Sequence, residues 1–528
     1  MINVKNVIIS AVITGASAWL LNYLFLPAWN VESVGMWVFI IITLFIFAGT
    51  SFAIDASKNN KITKTTIVAF IVIGLIFVFL IGAAFFGSRM INSKDYASML
   101  ESHLVEGDIK DFNATIDNVP LLDKDSATLL ANRELGTLID VVSQFEIEDT
   151  EQITVKGKPI RVSVLEYAGF FKWMNNKASG TPGYIKVDMT TQDAELVRVD
   201  GGIKYSPSEY FGRDLRRYLR KHFPTLMFEY PTLELDENGH PYWIASIIDH
   251  TIGLFGGKDI IGVVTVDAVT GDVQKYDYGE IPEWLDNVFS SELIMTQYDD
   301  YGKLQNGFWN SIVGQKGVKV TTEGYNYIPQ NNDNYIYTGV TSATRDESNI
   351  GFIVANKRTK EVVYYSQSGA EEYSAMSSAE GMVQDLEYTS TFPLLLKIEG
   401  HPTYMVALKD AAGLVKMYGM INVEKYQIVA IGDTVQSCHS KYKELLKNSG
   451  ADIFEAEKKL IEGRIEVIKE AIKQGTTYYY IKLENSKKYY ALSILDNEEI
   501  ILLQVGDNVK LSCEINEAKT ILSATLAK

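Results

Sequence analysis

The chain has 528 residues, a formal charge of −17 and only two cysteines, Cys438 and Cys513. Two thiols exclude a disulfide framework, and the acidic balance argues against general nucleic-acid affinity, which is won by cationic groups. The length allows roughly three or four domains of about 150 residues each, and 47% hydrophobic content with 30 tyrosines favours real cores rich in β structure.

Residues 7–26, 36–54 and 67–87 are predominantly apolar and carry no charge. Each is long enough to cross a ~30 Å hydrocarbon layer as a helix. The first, interrupted by Ser10, Thr14, Ser17 and Asn22, is the weakest of the three. An apolar run this long, followed by two more, is not a cleaved signal peptide. Lys5 precedes the first span. The first loop, Pro27–Gly35, has no Lys or Arg, and the second holds Lys58, Lys61 and Lys64. Positive charge stays on the cytoplasmic side, so the N-terminus is expected inside and everything after about residue 90 outside. Residues 91–150 read as a helical connector, with an amphipathic helix ending near Gln144.

Between 151 and 449 one pattern occurs four times: Gly183-Tyr-Ile-Lys-Val-Asp188, Gly262-Val-Val-Thr-Val-Asp267, Gly351-Phe-Ile-Val-Ala-Asn356 and Gly419-Met-Ile-Asn-Val-Glu424. A repeat of this size means one folded unit used several times. Gly157-Lys-Pro159, Gly239-His-Pro241 and Gly400-His-Pro402 precede three of the copies, with Pro at a strand start. Thr270-Gly271 reads as a hairpin turn between Val263–Val266 and Val273–Tyr276. Helices are expected at Ser208–His222, Glu283–Tyr298, Ala370–Leu386 and Val435–Lys447. Each unit is then a short antiparallel sheet with a helix on one face, two units in 151–299 and two in 300–449.

Val266-Asp267-Ala-Val-Thr270-Gly271-Asp-Val273 resembles the strand–turn–strand signature of PepSY-type domains, which occur in extracytoplasmic bacterial proteins and peptidase propeptides. The other copies depart from it: Asp188-Met-Thr-Thr-Gln192 lacks the glycine, Asn356-Lys-Arg-Thr359-Lys360 replaces it by lysine, and Glu424-Lys-Tyr-Gln427 is shortened. The whole chain resembles multi-span membrane proteins of Gram-positive bacteria, some carrying a colicin-V-production-type label. The resemblance implies an extracytoplasmic binding role, with restraint of a peptidase or wall enzyme as the analogy.

In 450–528, Ile453–Ile461 reads as a helix. Short strands follow from Gly463, at 477–483, 488–494, 499–505, 508–514 and 521–526, a pattern for a small β-barrel of the OB or SH3-like kind. The expected fold class is therefore α+β: N-terminal transmembrane helices, tandem PepSY-like modules and a C-terminal barrel.

Catalytic motifs are missing: no Gly-x-Ser-x-Gly elbow and no His-Glu-x-x-His helix. No cofactor or metal is expected. His240 and His401 occupy equivalent positions and read as turn residues beside proline. Gly253–Asp259 imitates a phosphate loop but is one residue short, and reads as a hairpin loop. Arg213, Arg216, Arg217 and Arg220 fall on one helical face, a solvated or ion-paired surface or else a contact for an anionic partner. Tyr478 and Tyr480 share one strand face and offer a stacking platform. The expectation is a non-enzymatic membrane protein binding a protein or envelope polymer. The alternatives are an envelope hydrolase with paired carboxylates and a cytoplasm-facing scaffold with a ligand-binding barrel.

Overall fold

The chain is described from a computed structural model, which covers residues 4–59, 62–109, 111–112, 114, 116, 119–330, 332–342, 348–451, 458–473, 476–495, 497–514 and 520–526. Three N-terminal helices, α1 (Val4–Phe25), α2 (Val34–Asn59) and α3 (Lys64–Phe86), are long and apolar enough to cross a membrane. Their surfaces are largely uncovered, as at Trp19, Leu24, Leu75 and Val78, which suits a hydrocarbon solvent. The turn between α2 and α3 is held by Asp55, whose carboxylate accepts from Thr63 N at 2.8 Å and Thr66 Oγ1 at 3.0 Å. A carboxylate at a helix N-terminus satisfies orphan donors there. Lys61 lies outside the described residues.

Among the described residues, four sheets follow that share one strand pattern. Each has two short leading strands on the same long strand, then that strand's hairpin partner, then an edge strand. The long hairpins are Lys158–Tyr167 with Thr181–Asp188, Pro241–Ile252 with Gly256–Asp267, Asp333–Ser342 with Gly351–Asn356, and His401–Lys409 with Val415–Asn422. The third sheet gains a sixth strand, Leu104–Gly107, laid parallel to Val362–Tyr365. The connector therefore is not wholly helical. Its main helix, Lys124–Thr137, stops short of Gln144, and Phe145–Ile147 already belongs to the first sheet.

The end of each hairpin is closed by the same Asx turn. Asp188, Asp267, Asn356 and Asn422 each accept, through Oδ1, from the backbone N–H groups two and three residues on. Asn422, not Glu424, is thus the counterpart of Asp267, so the fourth copy is offset by two residues from the sequence alignment. The glycines tell the same story. A Cβ on Gly183, Gly262 or Gly351 would overlap a carbonyl oxygen of the neighbouring edge strand (Val197, Tyr276 or Tyr365), whereas one on Gly419 would meet the side chains of Val406 and Ile431.

Helices lie between the sheets. Leu215 and Leu219 fill the layer between the first and second, Leu293, Ile294 and Tyr298 that between the second and third, and Ala375 and Ala379 that between the third and fourth. Both faces of the strands are therefore buried. Val263 belongs to one layer and Val264 and Val266 to the next; Phe352 and Val354 face away from Ile353 and Ala355. The first and fourth sheets also touch, through Gln192 Nε2, in a turn of the first, to Tyr418 OH at 2.8 Å, and the helix Lys124–Thr137 meets the fourth sheet's hairpin loop through Ser126 Oγ to Gly413 O at 3.1 Å. Helix starts differ from those read off proline. Asp214 caps Leu215–His222 and Ser290 caps Ser291–Leu304, because a side-chain acceptor at the N-cap outweighs an upstream Pro.

The C-terminal part is a curled sheet of five strands, Lys458–Lys473, Thr476–Leu483, Tyr489–Ser493, Asn508–Glu514 and Ile521–Leu526. The first pairs with both the second and the fourth, and the third and fifth run parallel. Two expectations fail here. Lys458–Ile461 is strand rather than helix, residues 453–457 lying outside the described ones. Glu498–Leu502 is a 3₁₀ turn that buries only Ile500. A short apolar run does not distinguish strand from helix by periodicity.

The glycine geometry makes a prediction. Gly262→Ala should destabilise the chain by about 1–3 kcal/mol, because its Cβ would meet backbone. Gly419→Ala should cost clearly less, because side-chain ends can yield. Thermal unfolding of the full-length chain in detergent compares the two; equal losses would refute the offset alignment.

Candidate functional site

A buried polar region lies where the first three sheets meet. It is built by the ends of strands, where backbone pairing stops and side chains must satisfy the leftover groups. Asn287 donates from Nδ2 to Glu234 Oε1 at 2.7 Å and to Gln152 O at 3.1 Å, and its backbone N–H donates to Glu234 Oε1 at 2.9 Å. Asp286 accepts from Thr154 N, and Asn334 Nδ2 donates to Gln152 O at 3.2 Å. Lys357 Nζ donates to Asn287 Oδ1 and lies 4.7 Å from the Tyr327 ring centroid. Asp333 and Arg358 form a bidentate pair at 2.8 Å beside it.

Burial dominates the electrostatics. It raises Glu234 to about 7 against the help of Asn287, raises Asp286 well above the carboxylate range with Glu234 as its next cause, and lowers Lys357. Two adjacent buried carboxyl groups cannot both ionise cheaply. Several buried atoms here have no hydrogen-bond partner among the described residues: Gln152 Nε2, Thr154 Oγ1, Asp286 Oδ1 and Asn334 Oδ1.

A cleft of about 790 Å³ opens above this cluster. Lys357, Asn287, Glu151, Tyr325 and Tyr327 line its inner end, and Lys258, Glu229 and Arg89 line it elsewhere. Most of these charges are paired, Lys258 with Glu229 at 2.7 Å and Arg89 with Asp300 at 2.6 Å. Lys357 differs, since it donates to an amide oxygen, Asn287 Oδ1. Neither Glu234 nor Asp286 lines the cleft, so the raised carboxyl pair is a joint between sheets. Lys357 also stands out within the fold. The N–H of Lys357 donates to Asn334 O just as those of Met189, Ala268 and Val423 donate to Pro159, Pro241 and Pro402. Three of these four equivalent positions hold buried apolar side chains; the third sheet alone puts an ammonium there. The signal was present in the sequence as the Asn356-Lys-Arg-Thr-Lys360 departure, but its burial depends on packing. Lys360, at the next unusual position, is absorbed by Asp259, both oxygens at 2.8 Å.

The residues singled out from sequence fall elsewhere. Arg213 sits in a 3₁₀ turn before the helix rather than on its face, pairs with buried Glu209 at 3.3 Å and donates to Lys177 O. Arg217 donates to Tyr23 O and stacks 4.1 Å from the Tyr23 ring; Arg220 donates to Leu26 O at 3.2 Å and Leu226 O at 2.6 Å. These two therefore cap the C-terminal carbonyls of α1, where cations are favourable, and only Arg216 stays exposed. Tyr478 and Tyr480 do lie side by side, ring centroids 6.4 Å apart, with Tyr479 turned to the barrel core. Tyr478 is already engaged, donating to Gln436 Oε1 at 3.1 Å. His240 Nε2 meets Asp267 Oδ2 at 2.9 Å, a turn contact. Of Gly253–Asp259 only Gly253, Leu254 and Phe255 form the hairpin loop of the second sheet; Gly256–Asp259 already belong to the strand that follows, paired with Asp249–Ile252. Among the described residues, no group of three or more His, Cys, Asp or Glu is placed to hold a metal ion.

An acidic edge of the first sheet gives a pH test. Glu146 and Glu166 are cross-strand partners, and burial, then Glu148 and Glu146, raise Glu166 to about 7. A carboxyl raised in the folded state favours folding below its unfolded value, and that contribution is lost as pH rises through about 7. Glu166→Gln should therefore melt with wild type near pH 4 and above it at pH 8.5. A difference independent of pH would contradict the assignment.

No family model matches the chain, and a search of the curated proteins finds no match.

Proposed function

We propose that this is a membrane-anchored, non-enzymatic binding protein whose body lies on the extracytoplasmic side and holds a polypeptide segment of a partner in the cleft above Lys357. The single observation that carries this reading is Lys357 itself, a buried lysine that lines the cleft at a position that is apolar in the other three sheets. A buried cation without a carboxylate partner is costly; among the described residues Lys357 has only the amide oxygen of Asn287 and the Tyr327 ring, and a carboxylate of the partner would complete its hydrogen bonds. The volume, about 790 Å³, is in the range of ligand clefts. The shared sheet pattern and Asx turns are consistent with PepSY-like modules, and restraint of a peptidase or other envelope enzyme is the role that this analogy suggests. The strand order of the terminal sheet, with its parallel third and fifth strands, supports an OB-like barrel over an SH3-like one. Lysines of the α2–α3 loop support the outward placement.

Two measurements test it. Cys438 and Cys513 are buried, so a cysteine introduced at exposed Lys487 should react with an impermeant maleimide on intact cells; protection until lysis would reject the outward placement. Lys357→Met together with Asn287→Leu removes both members of the buried contact, so the fold should be kept. The same variant should lose site-specific photocrosslinking, from a probe at Tyr325, to a partner polypeptide that the wild type captures. An unchanged crosslink pattern in the folded variant would defeat the assignment.

A further inference from the structure

We infer that an aromatic projection of the first sheet and an apolar projection of the third seat in the interface of the lipid bilayer on either flank of the spanning helices. The first is the connection between Lys158–Tyr167 and Thr181–Asp188, carrying the short helix Phe170–Asn176. It exposes Phe170, Phe171 and Met174, and beside them lie exposed Tyr210 and Phe211; Phe171 is 74% and Phe211 57% exposed. The rings form one cluster around buried Trp173, with centroids 5.0 to 5.7 Å apart for Phe170, Tyr210 and Phe211 against Trp173.

The cluster is built rather than frayed. Trp173 Nε1 donates to Glu209 Oε2 at 2.7 Å and Tyr167 OH to Glu209 Oε1 at 2.8 Å. Glu209 is fully buried in its side chain and is neutralised by Arg213. Phe211 is held at φ 57°, a conformation rare for bulky residues and maintained only when the surroundings impose it. Holding an aromatic ring outward at such a cost calls for an apolar medium to receive it.

Its position names that medium. Arg213, whose guanidinium holds Lys177 O at the base of the projection, is four residues from Arg217, which lies on Tyr23 at the end of α1. Tyr23 in turn stacks with Trp19, which is 72% exposed on the span's surface. The projection is thus continuous with the lipid-facing end of a spanning helix. Exposed Arg216 and Lys177 border it, the aromatic-plus-cationic composition of an interfacial anchor.

The other flank repeats the arrangement. Phe308 packs with Tyr96 and Ile252, and Tyr96 OH donates to Gly87 O at 2.7 Å, where α3 ends. The residues just after Phe308, namely Trp309, Ile312 and Val313, are all exposed, Val313 at 79%. Apolar groups scattered singly need no explanation, but contiguous ones beside a membrane exit do.

The test uses full-length protein in phosphatidylcholine–phosphatidylglycerol nanodiscs. Phe171→Cys, Phe211→Cys and Val313→Cys are spin-labelled singly, with exposed Ile472→Cys on the barrel as the aqueous reference. Lipid seating predicts an oxygen-to-nickel-chelate collision ratio several-fold above the reference at all three sites. A ratio equal to the reference at Phe171 and Val313 would overturn the inference and leave these surfaces to a protein partner. Met174→Cys gives a second reading of the first projection should labelling at Phe211 disturb its strained backbone; an aqueous ratio at both Phe171 and Met174 overturns the inference for that flank.

Discussion

The architecture depends on strands that are apolar on both faces. In Gly351–Asn356 every residue is buried, and Lys158–Tyr167 is buried over most of its length. Each fully buried Val, Ile or Phe side chain stabilises by about 1.5–3 kcal/mol, so neither face of such a sheet can be left to water. The chain meets this by placing a helix between successive sheets and by bringing the fourth sheet back against the first. Stacking then forces the polar strand ends of different sheets together. The buried cluster at Gln152, Glu234, Asn287 and Lys357 is the consequence, and the cleft is the space that those ends leave unfilled.

The same rule extends to the membrane helices. A helix end leaves carbonyl groups without partners, and at the end of α1 they are met by Arg217 and Arg220 from a helix nearly two hundred residues later. At the end of α3, Tyr96 binds Gly87 O while Arg89 pairs with Asp300 of the helix between the second and third sheets. The body is therefore clamped to these apolar helices at two points. Of the four arginines that look like a binding face in sequence, Arg217 and Arg220 are spent on this clamp and Arg213 on Glu209.

How far the sequence could be read varies with the physics of each feature. The spans were legible because hydrocarbon demands long uncharged runs. The glycines at 183, 262 and 351 were legible because strand crossing there excludes a Cβ. Gly419 was misleading: it keeps the pattern but not the geometry, and Asn422 shows the true register through its Asx turn. Glu499–Val505 reads as strand by composition, yet the 3₁₀ turn Glu498–Leu502, capped by Asn497, prevails.

Sequence alone determined what depends on local order: three helices long and apolar enough to span a membrane, strand–turn–strand units with fixed turn residues, and a β-rich C-terminal part. Tertiary packing decided everything that depends on which distant groups become neighbours. Lys357 and Lys360 are two lysines in one turn by sequence. Only packing makes one the ion-pair partner of Asp259 and leaves the other at the floor of a cleft. The reason is that burial and pairing energies are set by surroundings contributed from several sheets, which no single stretch of chain specifies.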